Sequence, residues 1–431
     1  MTNLLKLSSD VIDGRIGTDE VGPLNRINFQ LSEIADDVAM VEAFSHSILF
    51  KTEAGLVSFD TSNERGSGRV VDAIRSWSKA PFHSLIYTHG HLDHVGGCGT
   101  FMRDAEDRGH PRPEIVGHEN IKHRFARYDQ TNGYNLAINN RQFGSVARRG
   151  YDVGEGSERF LPATSPVPDV TYRDAMDLQV GKLDIQLNHA RGETDDHTWS
   201  WIPKHKAICA GDFLIWAFPN AGNPQKVQRY PAEWAAAMRA MAKKDAELFL
   251  PAHGLPIAGQ ARIKSVLTDV AEALEFLVQE TVMRMNAGMR LDEIVHEVKL
   301  DPAYLEKPFM QPTYDEPEFV IRNIWRLYGG WYDGNPAALK PARNADLARE
   351  LASLAGGAIN LAERGLALAE TDPRLACHLV ELAVQADPEN RHAHEIRAKV
   401  YQHRRGLETS LMAKGIFGSA ANESREKIGD E

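Results

Sequence analysis

One ten-residue run, Thr88-His-Gly-His-Leu-Asp-His-Val-Gly-Gly97, carries the densest chemistry in the chain. Three imidazoles and one carboxylate fall between His89 and His94. Neutral imidazole and carboxylate together suit zinc and other borderline divalent ions. The run leaves a short apolar stretch, Ser84-Leu-Ile-Tyr-Thr88, that reads as a buried strand. A loop leaving a strand can aim alternate side chains at two neighbouring ions. Gly96 and Gly97 let the backbone turn tightly beside them. A surface loop that is histidine-rich by chance has no need of these residue types, this order and a preceding strand together.

The elements that must position this loop alternate between β-like and helical stretches over residues 27–262, which points to an α/β sandwich of mixed sheets. Ser47-Ile-Leu-Phe-Lys-Thr52 and Leu56-Val-Ser-Phe-Asp60 flank Glu53-Ala-Gly55 as a hairpin. Residues 68–79 have helical periodicity, with Val71, Ile74 and Trp77 on one face. Strands are expected over 185–189, 198–202 and 207–210, and a helix over 231–242 with proline in its first turn. Residues 263–415 read as an all-α helical domain, opened by Val266, Val270, Leu274 and Leu277 at helical spacing. It contains a Pro- and aromatic-rich connector over 302–341 and helices over 352–369, 373–386 and 390–404. Residues 1–26 read as an N-terminal extension and 416–431 as a polar, disordered tail.

Composition narrows the function classes. The 431 residues suggest two or three domains, and 42% hydrophobic with 25% charged residues is ordinary globular usage. The net charge of −11 argues against a polyanion-binding surface, so no nucleic acid partner is expected. Cys98, Cys209 and Cys377 are sparse and unpaired in sequence, as in a reducing compartment. No apolar run approaches a membrane span, and residues 1–13 lack a signal peptide's apolar core. A cytoplasmic protein with no membrane partner is the expectation.

At this point the sequence resembles the metallo-β-lactamase superfamily: His89, His91, Asp93 and His94 match its HxHxDH motif position by position. The resemblance implies an αββα sandwich with a two-metal site and three later ligands on separate loops. Where the family usually has a Gly-His-Thr turn, this chain reads Arg191-Gly-Glu-Thr-Asp-Asp-His197, so Glu193 takes the ligand position. His189 and His197 flank it, and either could coordinate instead. Cys209-Ala-Gly-Asp212 supplies Asp212 as the bridging acid, and Pro251-Ala-His-Gly254 supplies His253. The implied assignment is His89, His91 and Glu193 on one Zn, Asp93, His94 and His253 on a second, and Asp212 between them. Such a pair lowers the pKa of a bound water, giving hydroxide as nucleophile and an ion to stabilise developing charge. No Ser or Cys nucleophile motif and no P-loop is present. Redox relatives of the fold fit less well, because there is no flavodoxin-like segment and the second ligand set is complete.

Glu193, its spacing to Asp212, and Gly330-Trp-Tyr-Asp-Gly-Asn-Pro336 ahead of Ala-rich helices resemble the alkyl sulfatase branch over about residues 30–415. That resemblance implies a dizinc hydrolase of alkyl sulfate esters and a homodimer formed through the helical domain. The family's sterol-carrier-like domain has no counterpart after the helices, which puts a long-chain substrate in doubt. Arg229 is a candidate sulfate anchor, since a guanidinium fork suits a tetrahedral oxyanion. Tyr134, Asn140 and Arg141 fall where the family lines its pocket. Trp216, with Phe213 and Phe218, is a candidate apolar wall, although such residues more often fill core. No clear counterpart of the family's general acid is found, and His197 is the substitute candidate. Asp93 and Asp212 complete the candidate catalytic set. Asp195 or Asp196 could support a ligand from behind. His46 reads as a solvated turn residue, and Trp325, Trp331 and Tyr332 as packing between domains. The alternatives are a two-metal hydrolase of another small-molecule ester (phosphoester, lactone or carboxylic ester) and a non-catalytic, metal-stabilised helical dimer.

Overall fold

The computed structural model describes residues 3–147 and 159–429. It divides into two compact units, Met1–Asn135 with Ser157–Gly330, and Leu136–Gly156 with Trp331–Glu431.

The first unit contains two sheets. One runs β1 (Leu31–Ala35), β2 (Val38–Val41), β3 (Ser47–Thr52), β4 (Gly55–Phe59), β5 (Phe82–Ile86), β6 (Glu114–His118) and β7 (Val170–Tyr172), paired in that order. Its first four strands are antiparallel neighbours, and β4 to β7 run parallel. The expected hairpin joins β3 to β4. Thr52 Oγ1 accepts from the Ala54 amide at 3.1 Å and donates to the Gly55 carbonyl at 2.9 Å. The other sheet is built from β8 (Ala175–Val180), β9 (Leu183–His189), β10 (Thr198–Ile202), β11 (Ala207–Gly211), β12 (Leu248–Pro251) and β13 (Ile257–Ala258). Only β11 and β12 pair in parallel there.

Apolar residues from both sheets form one continuous core, including Met40, Phe50, Phe59 and Val116 from the first and Ile185, Leu187, Ile208 and Phe249 from the second. Helices 64–77 and 98–107 connect strands of the first sheet, and Pro231–Ala242 connects β11 to β12. This is the mixed sandwich that the alternating pattern implies.

The first compact unit runs past residue 262. Helices Gln260–Asn286, Leu291–Glu297 and Pro317–Gly329 bury Leu267, Leu274, Leu277, Ile294, Val320 and Ile324 in the same core as the sheets. Their apolar stripes face the sandwich, so the first unit extends to Gly330. The N-terminal segment also joins this core, since helix Leu4–Ile12 buries Leu4 and Val11 there.

The second unit has its own core, with Leu361, Ala376, Val380, Ile396 and Val400. The stretch 352–369 is not one helix. Helices Asn344–Leu354 and Ala358–Leu368 are separated at Gly356 and Gly357, whose φ values of +81° and +129° favour glycine. Helices Pro373–Ala386 and Arg391–Leu407 follow, capped by the side chains of Asp372 and Asn390. The segment from 416 onward is not a disordered tail, because Leu411–Ile428 is a helix. Its small residues allow close packing: a Cβ on Gly415 would stand 1.8 Å from the Gln142 carbonyl oxygen. Arg397 Nη1 donates to its Ala420 carbonyl at 2.6 Å. Residues 430 and 431 lie outside the described residues, as do residues 1 and 2 of the N-terminal segment. No described helix is long and apolar enough to cross a membrane.

Candidate metal centre

Parallel strands deliver their following loops to the same edge of a sheet. In the first sheet, β4 ends just before Asp60, and β5 ends just before the loop carrying His89, His91, Asp93 and His94. In the second, β11 precedes Asp212 and β12 precedes His253, while Glu193 lies in the β9–β10 connection. The two parallel pairs therefore supply most of the cluster.

His89, His91, Glu193 and Asp212 each bring one ligand atom within 4.8 Å of the others, and Asp93, His94 and His253 do the same. Asp212 reaches both groups. Its Oδ2 is 3.8 Å from His89 Nε2, and its Oδ1 is 3.4 Å from His94 Nε2 and 3.6 Å from His253 Nε2. Asp93 Oδ2 is 3.3 Å from His253 Nε2 and 3.5 Å from His94 Nε2. Four ligands about 2.0–2.1 Å from a tetrahedral ion stand about 3.3 Å apart, so this spacing fits a divalent cation. His94 Nε2 and Asp212 Oδ1 are buried with no hydrogen-bond partner among the described residues, as donor atoms for an ion would be.

The electrostatics agree. Burial, aided by neighbouring His94, holds the His89 imidazole well below its usual pKa, and burial with Arg229 and Arg124 does the same for His91. Both rings are therefore neutral at pH 7. Burial also opposes charge on His94, but Asp212, Asp93 and Asp60 outweigh it and raise its pKa well above the usual range. Burial pushes Glu193 well above the carboxylate range, with Arg229 opposing and Asp212 adding to the rise. Crowded buried carboxylates of this kind are relieved by a cation.

Most of the candidate ligands are braced. Asp60 Oδ2 accepts from His94 Nδ1 at 2.7 Å and from Thr88 Oγ1 at 2.8 Å, which leaves His94 Nε2 facing the cluster. His46 is buried rather than solvated. Its Nδ1 accepts from the Ala43 amide at 3.1 Å, and its Nε2 donates to the Gly254 carbonyl at 2.8 Å, next to His253. Asp196 Oδ2 accepts from the Gly90 amide at 3.0 Å and from Arg124 Nε at 2.8 Å, so the buried ion pair holds the His89–His91 turn. Asn220 Nδ2 donates to Glu193 Oε1. The sequence could show Asp195 or Asp196 as candidates, but not Asn220, which has no motif.

Arg229, Trp216 and His197, expected to meet substrate, have other partners. Arg229 is buried on Glu193: Nη1 donates to the Glu193 carbonyl, and Nη2 lies 3.4 Å from Oε1. Its fork is thus engaged with Glu193 rather than presented to an oxyanion. Trp216 is 1% exposed and donates from Nε1 to the Leu255 carbonyl at 2.7 Å, so it wedges beneath the His253 loop instead of walling a pocket. Phe213 and Phe218 are likewise core residues. His197 is buried and stacked on Phe213, with ring centroids 4.3 Å apart, and its Nε2 accepts from the Asp212 amide at 3.1 Å. Burial depresses its pKa to about 3. A neutral ring with that nitrogen engaged braces Asp212 and does not suit a general acid. His189 Nδ1 donates to the His197 carbonyl at 3.0 Å and stacks on His118, outside both ligand groups. Tyr134 is 63% exposed on helix Asn132–Ala147, and Asn140 and Arg141 stand on the part of that helix that belongs to the second unit. Trp331 is 70% exposed and pairs edge-to-face with Tyr332, while Trp325 packs against the first unit's core.

Two polar residues beside the cluster escaped sequence reasoning. Burial, reinforced by Arg229, lowers Lys226 to about 7, with Glu193 and Asp93 opposing. Burial raises the Tyr314 phenol well above its usual value, and Glu193 and Asp93 add to the rise. Neither belongs to a spacing pattern, and only the fold brings them to these carboxylates.

Residues 41–253 match the metallo-beta-lactamase superfamily model, and residues 290–427 match the alkyl sulfatase dimerisation model. A linear primary-alkylsulfatase of Pseudomonas sp. is 26% identical over 370 residues, covering 82% of this chain and 69% of that protein. An (R)-specific secondary-alkylsulfatase of Pseudomonas sp. is 22% identical over 397 residues, covering 88% of this chain and 60% of that protein. The solved structure of the stereoselective inverting sec-alkylsulfatase Pisa1 from Pseudomonas sp. superimposes with a TM-score of 0.80 at 20% identity, covering 93% of this chain and 66% of that one. The chain thus spans 60–69% of the length of these relatives. It carries a metallo-beta-lactamase superfamily domain followed by an alkyl sulfatase dimerisation domain.

Proposed function

We propose that this protein is a two-metal hydrolase that cleaves sulfate esters of alkyl alcohols. The observation that carries this reading is Asp212, whose two oxygens face two separate ligand groups. His89, His91 and Glu193 would hold one ion, and Asp93, His94 and His253 the other. Two zinc ions there would supply Lewis-acid polarisation of an ester oxygen and a nucleophile at neutral pH. The family matches and the alkylsulfatase relatives support sulfate as the group transferred to water.

The chain's own residues prepare the site. His46, Asp60, Asp196, Asn220, Arg229 and His197 fix the ligands before substrate arrives. Lys226, cationic for part of its population near pH 7, is suited to meet an anionic ester and to pass a proton to a departing alkoxide. Another ester is the second reading, because Arg229, the expected sulfate anchor, is engaged with Glu193.

The protein is proposed to act as a homodimer through the second unit. Leu347, Leu351 and Leu354 lie at helical spacing on Asn344–Leu354 and are 50%, 36% and 77% exposed, within the matched dimerisation region. Turnover of alkyl sulfate, phosphate and lactone esters by purified protein tests the reading. Release of inorganic sulfate supports it, and cleavage of another ester with sulfate esters inert overturns it.

A further inference from the structure

Asn323 lies on helix Pro317–Gly329, beyond the last residue matched to the metallo-beta-lactamase model, and is buried. Its side chain grips one backbone position from both sides. Oδ1 accepts from the Arg229 amide at 3.3 Å, and Nδ2 donates to the Arg229 carbonyl at 3.0 Å. One carboxamide thus satisfies both backbone groups of residue 229, as a neighbouring strand would. Oδ1 also accepts from Gln228 Nε2 at 2.9 Å and from Arg326 Nη2 at 3.1 Å. Gln228 Nε2 itself is 2.8 Å from the Arg229 carbonyl. From this clamped position the Arg229 side chain reaches the Glu193 carbonyl and carboxylate.

We infer that Asn323 is a positioning residue for Glu193, acting through Arg229, so that a helix outside the metallo-β-lactamase match sets the affinity of one of the two metal sites. The inference rests on the proposed role of Glu193 as a ligand. A guanidinium transmits position well because its planar fork fixes both of its contacts at once. A site held to about half an ångström cannot tolerate a wandering support. The same loop is tied at other points. Asp315 Oδ2 accepts from the Gly222 amide at 2.7 Å, and the Phe218 amide donates to the Gln311 carbonyl at 2.9 Å. Loss of Asn323 should therefore leave the loop docked and only its register at Arg229 relaxed.

The test uses cobalt(II) as the probe on the full chain, following visible absorption and heat as the ion is titrated into metal-free protein. The wild type should take up two ions per chain, and Glu193→Ala identifies which step belongs to the Glu193 site. Asn323→Ala should weaken that step by about 10–100-fold, the range for a support behind a ligand, and leave the other within twofold. Asn323→Asp keeps the acceptor for the Arg229 amide and loses the donor, so it should fall between. In an Arg229→Lys background, Asn323→Ala should change neither step by more than twofold, because the route is already broken. Unchanged affinity at both steps in Asn323→Ala, or equal weakening of both, would overturn the inference. If Asn323→Ala does not fold, Asn323→Asp decides by the same criterion. Fewer than two ions in the wild type would instead overturn the two-metal reading itself.

Discussion

Replacing Asp60 by Asn should weaken one metal site while sparing the fold. Asp60 accepts three hydrogen bonds, from the Thr88 amide at 2.8 Å, Thr88 Oγ1 at 2.8 Å and His94 Nδ1 at 2.7 Å. An Asn side chain can keep only one acceptor oxygen, and the Thr88 amide requires it. The Asn NH2 then faces His94 Nδ1, which must become the acceptor, and the ring proton moves to Nε2. That nitrogen no longer offers a lone pair to a cation. Restoring the ligating tautomer forfeits a hydrogen bond to a charged acceptor, worth about 1.5–3 kcal/mol. This corresponds to about 10–150-fold weaker binding at the Asp93–His94–His253 site. The metal-free protein should lose little beyond the Asp60–His94 contact, because Asp93 and Asp212 still flank the His94 ring. Asp60 has φ +57°, which Asn tolerates, and burial already pushes its pKa up, so a neutral side chain relieves a cost. Chelator competition, with metal content per chain and melting of the metal-free protein, reads both effects. Two metals held at wild-type affinity in Asp60→Asn would refute the tautomer argument. So would an equal loss at both sites with a large drop in the melting temperature of the metal-free protein.

Further outcomes follow from other parts of the structure. Gly254 has φ +95°, and a Cβ there would stand 2.2 Å from Trp216 Cδ1, so Gly254→Ala should cost about 1–3 kcal/mol of stability and displace His253, read by melting and metal content; a variant with wild-type melting and two metals would contradict this. Burial pushes Asp315 up to about 7, above its unfolded value. The folded state therefore binds its proton more tightly between about pH 4 and 7, and stability falls as pH rises through that window. Asp315→Asn should flatten this fall, measured as melting temperature at pH 5 against pH 8, and an unchanged difference would count against it. Leu351→Glu should convert a dimer to monomers in sedimentation analysis while the metal content stays at the wild-type level; a persisting dimer would place the contact on another face.

The legible parts of the sequence were those with local periodicity or fixed spacing. The hairpin at 53–55 and strands β3 and β10 were legible because apolar runs were broken by turn residues. Helix 231–242 was legible because proline opens it. The candidate ligand loop was legible because its four candidate side chains fall within six residues, and the structure gathers Glu193, Asp212 and His253 beside it. What was not legible depends on which surface a helix meets. The stripe at 266–277 has the same spacing whether it packs on another helix or on a sheet, so spacing does not show that these helices share the sandwich's core. The final helix was missed because its packing uses Gly415, Gly418 and Ala421 rather than large apolar residues. Arg229 and Trp216 show the limit for site residues: a side chain's type suggests a contact, but only the fold decides whether it meets substrate or a ligand.

The most direct test is metal content per chain together with turnover of an alkyl sulfate, for wild type and Asp93→Ala. Two zinc ions per wild-type chain, release of inorganic sulfate, and loss of both turnover and one ion in the variant are expected. One ion or none in the wild type, or undiminished turnover in Asp93→Ala, would contradict the two-metal reading.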